Sequence, residues 1–250
     1  MIRGLYTASS GMMVEMNKND ISASNLANVN TTGYKRDTVV TGSFPEMLLQ
    51  RVNDQRLNDV SRPPAVGNLG TGAIVDEVVT VYEQGQLRES TNPFDLAISG
   101  DGFFTVSNQN GTFLTRNGSF TLDSEGYLVT SRGDMVQGEA GPIRLNDAAD
   151  IEVDSSGTIK ADGMTVATLR LVTVADTAQL TKAGDSLFTG GQAVAGITGQ
   201  VRQRFVEGSN VNVITEMVNM ITIMRAYEAN QRIISGYDST LSQAMDVGRK

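Results

Sequence analysis

The stretch NVNVITEMVNMITIMRAYEANQRIISGYDSTLSQAMDV, residues 210–247, is the longest periodic segment of the chain and contains no proline. Apolar or aromatic side chains recur in it every three or four residues, which predicts a helix. At 1.5 Å per residue this helix is roughly 55 Å long, more than one domain of this size needs to cover its core. The recurring residues are Val213, Met217, Met220, Met224, Tyr227, Ile234, Leu241 and Met245, and Ile214, Val218, Ile221 and Ile223 add apolar surface beside this row. We expect this helix to contact several partners, including other copies of the chain; the alternative is a long helix lying across its own domain.

A second, weaker helical pattern runs from Gly4 to about Leu26. A thin stripe of Met, Leu and Ala is typical of a docking face rather than of a self-sufficient core. We therefore expect this helix to need the C-terminal helix or another subunit. The residues near one face are Leu5, Met12, Met16, Ala23 and Leu26.

The composition limits the chemistry available to this chain. Its 250 residues are 40% hydrophobic, enough for a proper core, and contain no Cys and no His. Thiol and imidazole catalysis, the usual zinc and copper ligands and disulfides are therefore excluded. We expect no cofactor, no bound metal, no catalytic site and no small-molecule substrate.

The formal net charge is −8, and it lies in the middle of the chain. Residues 1–40 carry a net charge of +1 and residues 205–250 a net charge of −1, so the two ends can pack against copies of themselves without strong repulsion. The acidic middle is typical of a solvated exterior and makes nucleic acid an unfavourable partner. No continuous apolar segment of signal-peptide or membrane-span type is found, which by itself points to the cytoplasm and to no direct membrane insertion.

Between Gln86 and Arg204, turn signals such as Asn110-Gly111 and Asp162-Gly163 recur every eight to ten residues. Short β-rich runs, for example 103–106 and 166–174, lie between them. This spacing predicts an antiparallel β-domain of hairpins, either a sandwich or an open barrel.

The predicted fold class is α+β, mainly β. A discontinuous, coiled-coil-like helical domain combines residues 1–40 and 205–250, an extended linker occupies 41–85, and the central antiparallel β-domain occupies 86–204.

Three short motifs favour local structure over a binding site. Gly67-x-x-Gly70-x-Gly72 precedes a strand-like run instead of a helix, so it lacks the context of a phosphate loop. Arg132-Gly133-Asp134 is explained by a turn instead of by adhesion. Asp123-Ser124-Glu125 lacks the spacing of a calcium loop and is better explained as a hairpin turn.

The segment NLANVNTTGYKR, residues 25–36, resembles the N-terminal signature of the bacterial flagellar axial proteins, the rod, hook and hook-associated family. A second signature at the other end is similar to residues 209–230, apart from Met224, where members commonly carry Gln. A third resemblance covers Pro93–Ile98 and Gly100–Phe104, the opening of the family's middle domain. The motif residues are Asn25, Leu26, Ala27, Asn28, Asn30, Gly33 and Tyr34 in the first signature, and Arg225, Ala226, Tyr227 and Glu228 in the second.

The resemblance implies a structural subunit of the flagellar basal-body rod that polymerises through its terminal helices and transmits torque from motor to hook. It implies as partners copies of the chain, other rod proteins and the flagellar type III export apparatus. It also implies a location in the periplasm-spanning basal body, reached without a cleaved signal peptide, instead of the cytoplasm. The segment Phe44–Leu49 is most like the proximal-rod member, with a distal-rod or hook-type subunit as the alternative.

Two other classes of function remain as alternatives. A glycosidase or peptidoglycan hydrolase needs two carboxylates at a defined separation across a cleft, whereas acidic residues such as Asp101, Glu125 and Asp162 lie beside Gly in turns. A soluble ligand-binding β-domain with helical tails would bind a small ligand without self-association.

Overall fold

The structure is a computed structural model that describes residues 2–50, 65–145, 151–184 and 186–248. Helix α1 spans Ile2–Ala27 and helix α2 spans Val213–Gly248, with antiparallel strands between them. This confirms both predicted helices and the mainly β fold class. Neither described helix combines the length and the apolar character that crossing a membrane requires.

The strands are short and follow one another in close succession. In chain order they are β1 (Asp37–Ser43), β2 (Met47–Gln50), β3 (Ala65–Leu69), β4 (Ala73–Thr80), β5 (Leu87–Glu89), β6 (Leu96–Ser99), β7 (Phe103–Asn108), β8 (Gly111–Thr115), β9 (Phe120–Leu122), β10 (Leu128–Thr130), β11 (Met135–Gly138), β12 (Gly141–Pro142), β13 (Ile151–Val153), β14 (Thr158–Ala161), β15 (Met164–Thr168), β16 (Leu171–Val174), β17 (Leu180–Gly184), β18 (Leu187–Gly190), β19 (Ala193–Ala195), β20 (Gln200–Gln203) and β21 (Phe205–Glu207).

The chain folds into two compact units. The terminal unit comprises Met1–Ser24, Asp37–Val79 and Ile214–Lys250, and the central unit comprises Asn25–Arg36 and Thr80–Val213.

These boundaries differ from the predicted domains. The predicted linker 41–85 contains paired strands, β1 with β4 and β2 with β3. The sequence of Phe44–Leu49 predicts a short amphipathic turn, whereas this segment runs into strand β2. Residues 25–36 and 205–213, assigned to the helical domain, fold with the central unit. Pro63 and Pro64 predict an extended, polyproline-like segment, and both lie outside the described residues.

Within the terminal unit, α1 and α2 lie antiparallel at close range. A Cβ atom added to Gly4 would overlap the Tyr237 ring, and one added to Gly11 would lie 3.0 Å from Asn230 Nδ2. The strands approach α1 through Ser10, whose Oγ accepts a 3.3 Å hydrogen bond from the Ala73 amide. Helix α1 therefore packs on both α2 and the strands.

Strand β7 is the centre of the main sheet in the central unit. One edge pairs with β8, and the other edge is shared by β11 and β16. Phe103 and Phe188 pack edge to face with Tyr82, at centroid distances of 5.3–6.1 Å. The larger buried apolar cluster consists of Leu96, Ile98, Phe104, Val106, Phe120, Leu128, Val136, Ile143, Leu145, Ile159, Leu169, Leu171, Leu187 and Val201. The central unit therefore has a core of its own, and each fully buried side chain in it contributes about 1.5–3 kcal/mol.

Candidate functional site: helix surfaces and motif junction

Helix α2 leaves an apolar face exposed in its N-terminal half. Met217 is 52% exposed and Ile221 is 55% exposed, four residues apart on one side of the helix. Ile214, Val218 and Met224 extend the same exposed surface. This surface, residues 214–224 of α2, is called the α2 face below. A monomer rarely exposes so many large apolar side chains side by side, so the α2 face is a candidate contact surface.

The apolar row predicted for α2 divides into two sets in the structure. Val213, Met217, Ile221, Met224, Leu241 and Met245 are exposed, whereas Met220, Tyr227 and Ile234 are half-buried. In α1, Leu5, Met12 and Leu26 are half-buried, and Met16 and Ala23 are exposed. The three-four spacing therefore identified the apolar residues of the helices. It did not distinguish those covered within the subunit from those left exposed.

The close contact between the helices depends on residues that the apolar pattern missed. On α1 it uses Gly4 and Gly11, and Ala8 between them is buried. Gly4 and Gly11 leave room for the side chains of Tyr237 and Asn230 of α2. Such small residues contribute little to a periodicity of large apolar side chains. A pattern of Gly and Ala at four- and three-residue spacing was the signal that could have shown this contact.

An apolar groove of about 560 Å³ lies between the first half of α1 and the β2–β3 strands. Tyr6 and Met13 line it from α1, and Phe44, Met47 and Leu69 line it from the strand side. All five side chains are exposed. This α1 groove is therefore a second candidate contact surface, and it is made of different residues from the α2 face.

Lys35, from the N-terminal signature, belongs to a buried ionic cluster in the central unit. Glu207 is fully buried, and its two carboxylate oxygens accept hydrogen bonds from Lys35 Nζ at 2.5 Å and Arg116 Nη1 at 3.1 Å. Lys35 Nζ also donates to the Glu83 carbonyl at 2.7 Å. Burial lowers the pKa of Lys35, because lost hydration outweighs the opposing attraction to Glu207. We call this cluster, Lys35, Arg116 and Glu207, the junction triad.

Gly33 occupies a left-handed backbone conformation beside the junction triad. Its φ angle is +67°, its amide donates to the Glu207 carbonyl at 2.8 Å, and a Cβ atom there would lie 2.6 Å from the Arg116 carbonyl carbon. Thr32 Oγ1 also donates to Asn117 Oδ1 at 2.7 Å. Only glycine fits both the conformation and the space.

Asn210 holds two separate segments together. Its Oδ1 accepts a hydrogen bond from the Arg36 amide at 2.8 Å, and its Nδ2 donates to the Val81 carbonyl at 2.8 Å. In the N-terminal signature, the buried Tyr34 side chain has two contacts. Lys182 Nζ lies 4.3 Å from the centre of its ring, and its hydroxyl donates to Asn25 Oδ1 at 3.2 Å. Tyr34 and Asn25 are therefore part of the same intramolecular junction.

The other motif residues are distributed differently. Leu26 and Asn28 are half-buried, Asn28 Oδ1 accepts from Thr31 Oγ1 at 3.1 Å, and Ala27 and Asn30 are exposed. The motif residues of the second signature lie in α2, within the terminal unit. Arg225 and Glu228 are exposed, and Ala226 and Tyr227 are half-buried. Glu228 and Arg232 form a surface ion pair at 3.9 Å.

Three motifs set aside in the sequence have local structural roles. Asp134 is buried and accepts hydrogen bonds from Asn108 and Thr130, so its carboxylate is occupied within the fold. Asp123 accepts from two amides of its own turn, as a hairpin turn predicts. Gly67–Gly72 is followed by strand β4. Within the described ranges, no group of three or more acidic residues is placed to hold a metal ion.

Three protein-family models match separate parts of the chain. "Flagella basal body rod protein" matches residues 5–35, "Flagellar hook protein FlgE/F/G D1 domain" matches 97–161, and "Flagellar basal body rod FlgEFG protein C-terminal" matches 202–247. The first of these covers Lys35, the second Arg116 and the third Glu207, so each match contributes one member of the junction triad.

The chain is also similar along its whole length to curated flagellar proteins. It is 32% identical to the flagellar basal-body rod protein FlgG of Borreliella burgdorferi, over 100% of both chains. It is 33% identical to FlgG of Agrobacterium fabrum, over 96% of this chain and 97% of the relative. It is 27% identical to the flagellar hook-basal body complex protein FlhO of Bacillus subtilis, over 100% of both chains.

These relatives correct one expectation from the sequence. The likeness of Phe44–Leu49 to the proximal-rod member is not supported, because the two rod relatives are both FlgG, the distal-rod member. The segment is short, and half of it is an ordinary apolar strand. The full-length similarity and the three family matches agree with each other, and the chain belongs to the flagellar basal-body rod protein family.

Proposed function

We propose that this chain is a structural subunit of the bacterial flagellar rod, of the distal-rod type, and that it polymerises through α1 and α2 into the shaft that transmits torque from motor to hook. The observation that carries the proposal is the exposed α2 face, Ile214–Met224, in a chain whose central unit already has its own closed core. Covering large apolar side chains by neighbouring subunits would supply the free energy of assembly.

The two contact surfaces of the proposed polymer differ, as an open-ended filament requires. The α2 face and the α1 groove are made of different residues, so each subunit offers two unlike surfaces to its neighbours. Contacts between unlike surfaces generate rings or helical filaments, whereas a closed dimer needs the same patch on both subunits. A helical rod requires contacts between unlike surfaces.

We assign the assembly contacts to the exposed members of the predicted set, Val213, Met217, Ile221, Met224 and Leu241 on α2 and Met16 on α1. The half-buried members, Leu5, Met12, Leu26, Met220, Tyr227 and Ile234, are assigned to packing within the subunit. The partners are copies of the chain and other rod proteins, and the role is structural instead of catalytic. Membership of the family supports export through the flagellar type III apparatus without a cleaved signal, and a position in the periplasm-spanning basal body.

The test is complementation of a strain that lacks this gene, using the double variant Met217→Asp and Ile221→Asp. We expect loss of motility and of complete rods, because buried unpaired carboxylates cost several kcal/mol in the assembled layer and little on an exposed face.

The matched control is the double variant Met164→Asp and Val166→Asp on strand β15, where the side chains are 72% and 47% exposed. It introduces the same charges at equally exposed apolar positions of the central unit, and we expect motility to persist. Normal rods in the α2 variant would overturn the proposed function, and loss of rods in both variants would remove the special role of the α2 face.

A further inference from the structure

The α1 groove and the last turns of α2 are two apolar surfaces that the chain leaves uncovered. Residues 241–248 of α2 are exposed throughout, and Met245 is 72% exposed. In the groove, Tyr6 and Met13 of α1 are similarly exposed beside Met47 of β2. Each surface exposes large apolar side chains to solvent, which is typical of a protein contact surface.

The chain's own α2 end is directed away from its own groove. Asn230 lies beside Gly11 and Tyr237 lies beside Gly4, so α2 has run past Tyr6 and Met13 by residue 237 and reaches the level of Arg3 at about residue 238. Leu241 and Met245 continue in the same direction, along a rigid helix, and cannot return to Tyr6 or Met13. An α2 end that fills the groove must come from another copy.

Charge and length favour that occupant. Of the described residues that line the groove, Arg3 alone is charged. Asp238, Leu241 and Met245 lie on one side of α2 at three- and four-residue spacing, so a carboxylate adjoins the two apolar side chains. The groove is lined by α1 from residue 3 to residue 13, about 15 Å of helix, and residues 238–248 are also about 15 Å long.

From these observations we propose that the α1 groove binds the C-terminal end of α2 from a second copy of this chain, with Leu241 and Met245 in the groove and Asp238 facing Arg3. The contact rests on the proposed polymerisation and names one of its interfaces. It leaves the α2 face, residues 214–224, for a different neighbour. One subunit thereby joins a neighbour through the groove and another through its own α2 end.

The test uses cysteine cross-linking of the full chain, which contains no cysteine of its own. Met47→Cys protein is mixed with Met245→Cys protein at a concentration where the parent chain sediments as polymer, and the pellet is oxidised. The control pairs Met47→Cys with Met164→Cys, since Met164 and Met245 are both 72% exposed. We expect at least about tenfold more cross-linked dimer from the first pair, because a disulfide requires Cα atoms within about 7 Å.

The outcomes separate this inference from the proposed function. Polymer in the pellet with equal cross-linking of the two pairs would overturn the groove contact and leave the rod function standing. Absence of any polymer for the parent chain at all concentrations would overturn both.

A charge swap tests the proposed pairing of Arg3 with Asp238. We expect Arg3→Glu and Asp238→Lys each to raise the concentration needed for polymer by about two- to fivefold, as an exposed ion pair does, and the combined variant to restore it. Failure of the combined variant to recover would contradict the pairing of Arg3 with Asp238.

Discussion

Lys35 and Glu207 are 172 positions apart in the sequence, yet Lys35 Nζ lies 2.5 Å from the Glu207 carboxylate inside the central unit. The same carboxylate binds Arg116 Nη1 at 3.1 Å and the Gly85 amide at 2.9 Å. One buried anion therefore joins four segments of the chain. The N-terminal signature of this family thus has an intramolecular role in this protein, and Lys35 is unavailable for contacts with a neighbouring subunit.

Replacing Glu207 with Gln leaves Lys35 and Arg116 buried without their counterion. We expect the free energy of unfolding to fall by about 3–5 kcal/mol, the cost of breaking a buried ion pair by removing one partner. The measurement is urea unfolding followed by circular dichroism. Glu228→Gln is the matched control, because Glu228 forms only a surface pair with Arg232 and its loss should cost less than about 1 kcal/mol. Equal losses in the two variants would show that the junction triad adds no stability beyond a surface pair.

The junction triad should also give the protein a measurable pH dependence. Burial lowers the pKa of Lys35 below its ordinary value of 10.5, so the unfolded chain binds more protons than the folded chain between the two pKa values. The free energy of unfolding of the parent chain should therefore rise relative to that of Lys35→Met as the pH increases through the folded pKa towards 10.5. Urea unfolding of both proteins at several pH values measures the difference. A constant difference would contradict a lowered pKa for Lys35.

Gly33→Ala should destabilise the central unit by more than its backbone conformation alone explains. The φ angle of +67° costs an alanine about 1–2 kcal/mol, and the added Cβ atom would also meet the backbone of Arg116 and Asn117. Gly133→Ala is the matched control, since its φ is +90° and nothing lies within 4 Å of the added atom. Urea unfolding should show a larger loss for Gly33→Ala, and equal losses would exclude the close approach.

Alanine should have opposite effects at two helical glycines. Gly236→Ala meets nothing within 4 Å and should stabilise α2 by about 0.5–1 kcal/mol, the difference in helix propensity between the two residues. Gly4→Ala would place its methyl group against the Tyr237 ring and should lower stability, because the ring must leave its packed position on α1. The helical circular dichroism signal during thermal unfolding measures both. A stabilised Gly4→Ala variant would show that the helices are not in close contact at this position.

The sequence predicted those parts of the fold that have a local signal. Both helices follow from apolar periodicity, and the β-hairpins follow from Gly-containing turns such as Asn110-Gly111. Strand β4 also follows from the strand-like run at 73–79. The strands at 37–50 and 65–69 were missed because Pro45 and the prolines at 63 and 64 interrupt the alternation that defines strands. Local rules identified those breaks as a linker, whereas pairing between β1 and β4 depends on residues more than thirty positions apart.

The candidate site was predictable only in part, for a similar reason. The apolar residues of α2 were visible in the sequence, but which side of the helix is covered depends on Gly4 and Gly11 in α1. The junction triad had no local signal, because Lys35, Arg116 and Glu207 come from three distant segments. Single charged residues are normally solvated, so nothing in their immediate sequence indicated burial.

The pairing of β5 with β21 places residues 87–89 directly beside residues 205–207. Residues 90–204 therefore begin and end at adjacent points of the fold. An inserted domain has the same arrangement, because its two ends join the host chain at one position. Replacing the region between Glu89 and Phe205 by a foreign domain with neighbouring ends would keep Lys35 and Glu207 but remove Arg116, the third member of the junction triad. Because the two ends of this region lie side by side, a reporter that replaced it would need termini as close together as Glu89 and Phe205.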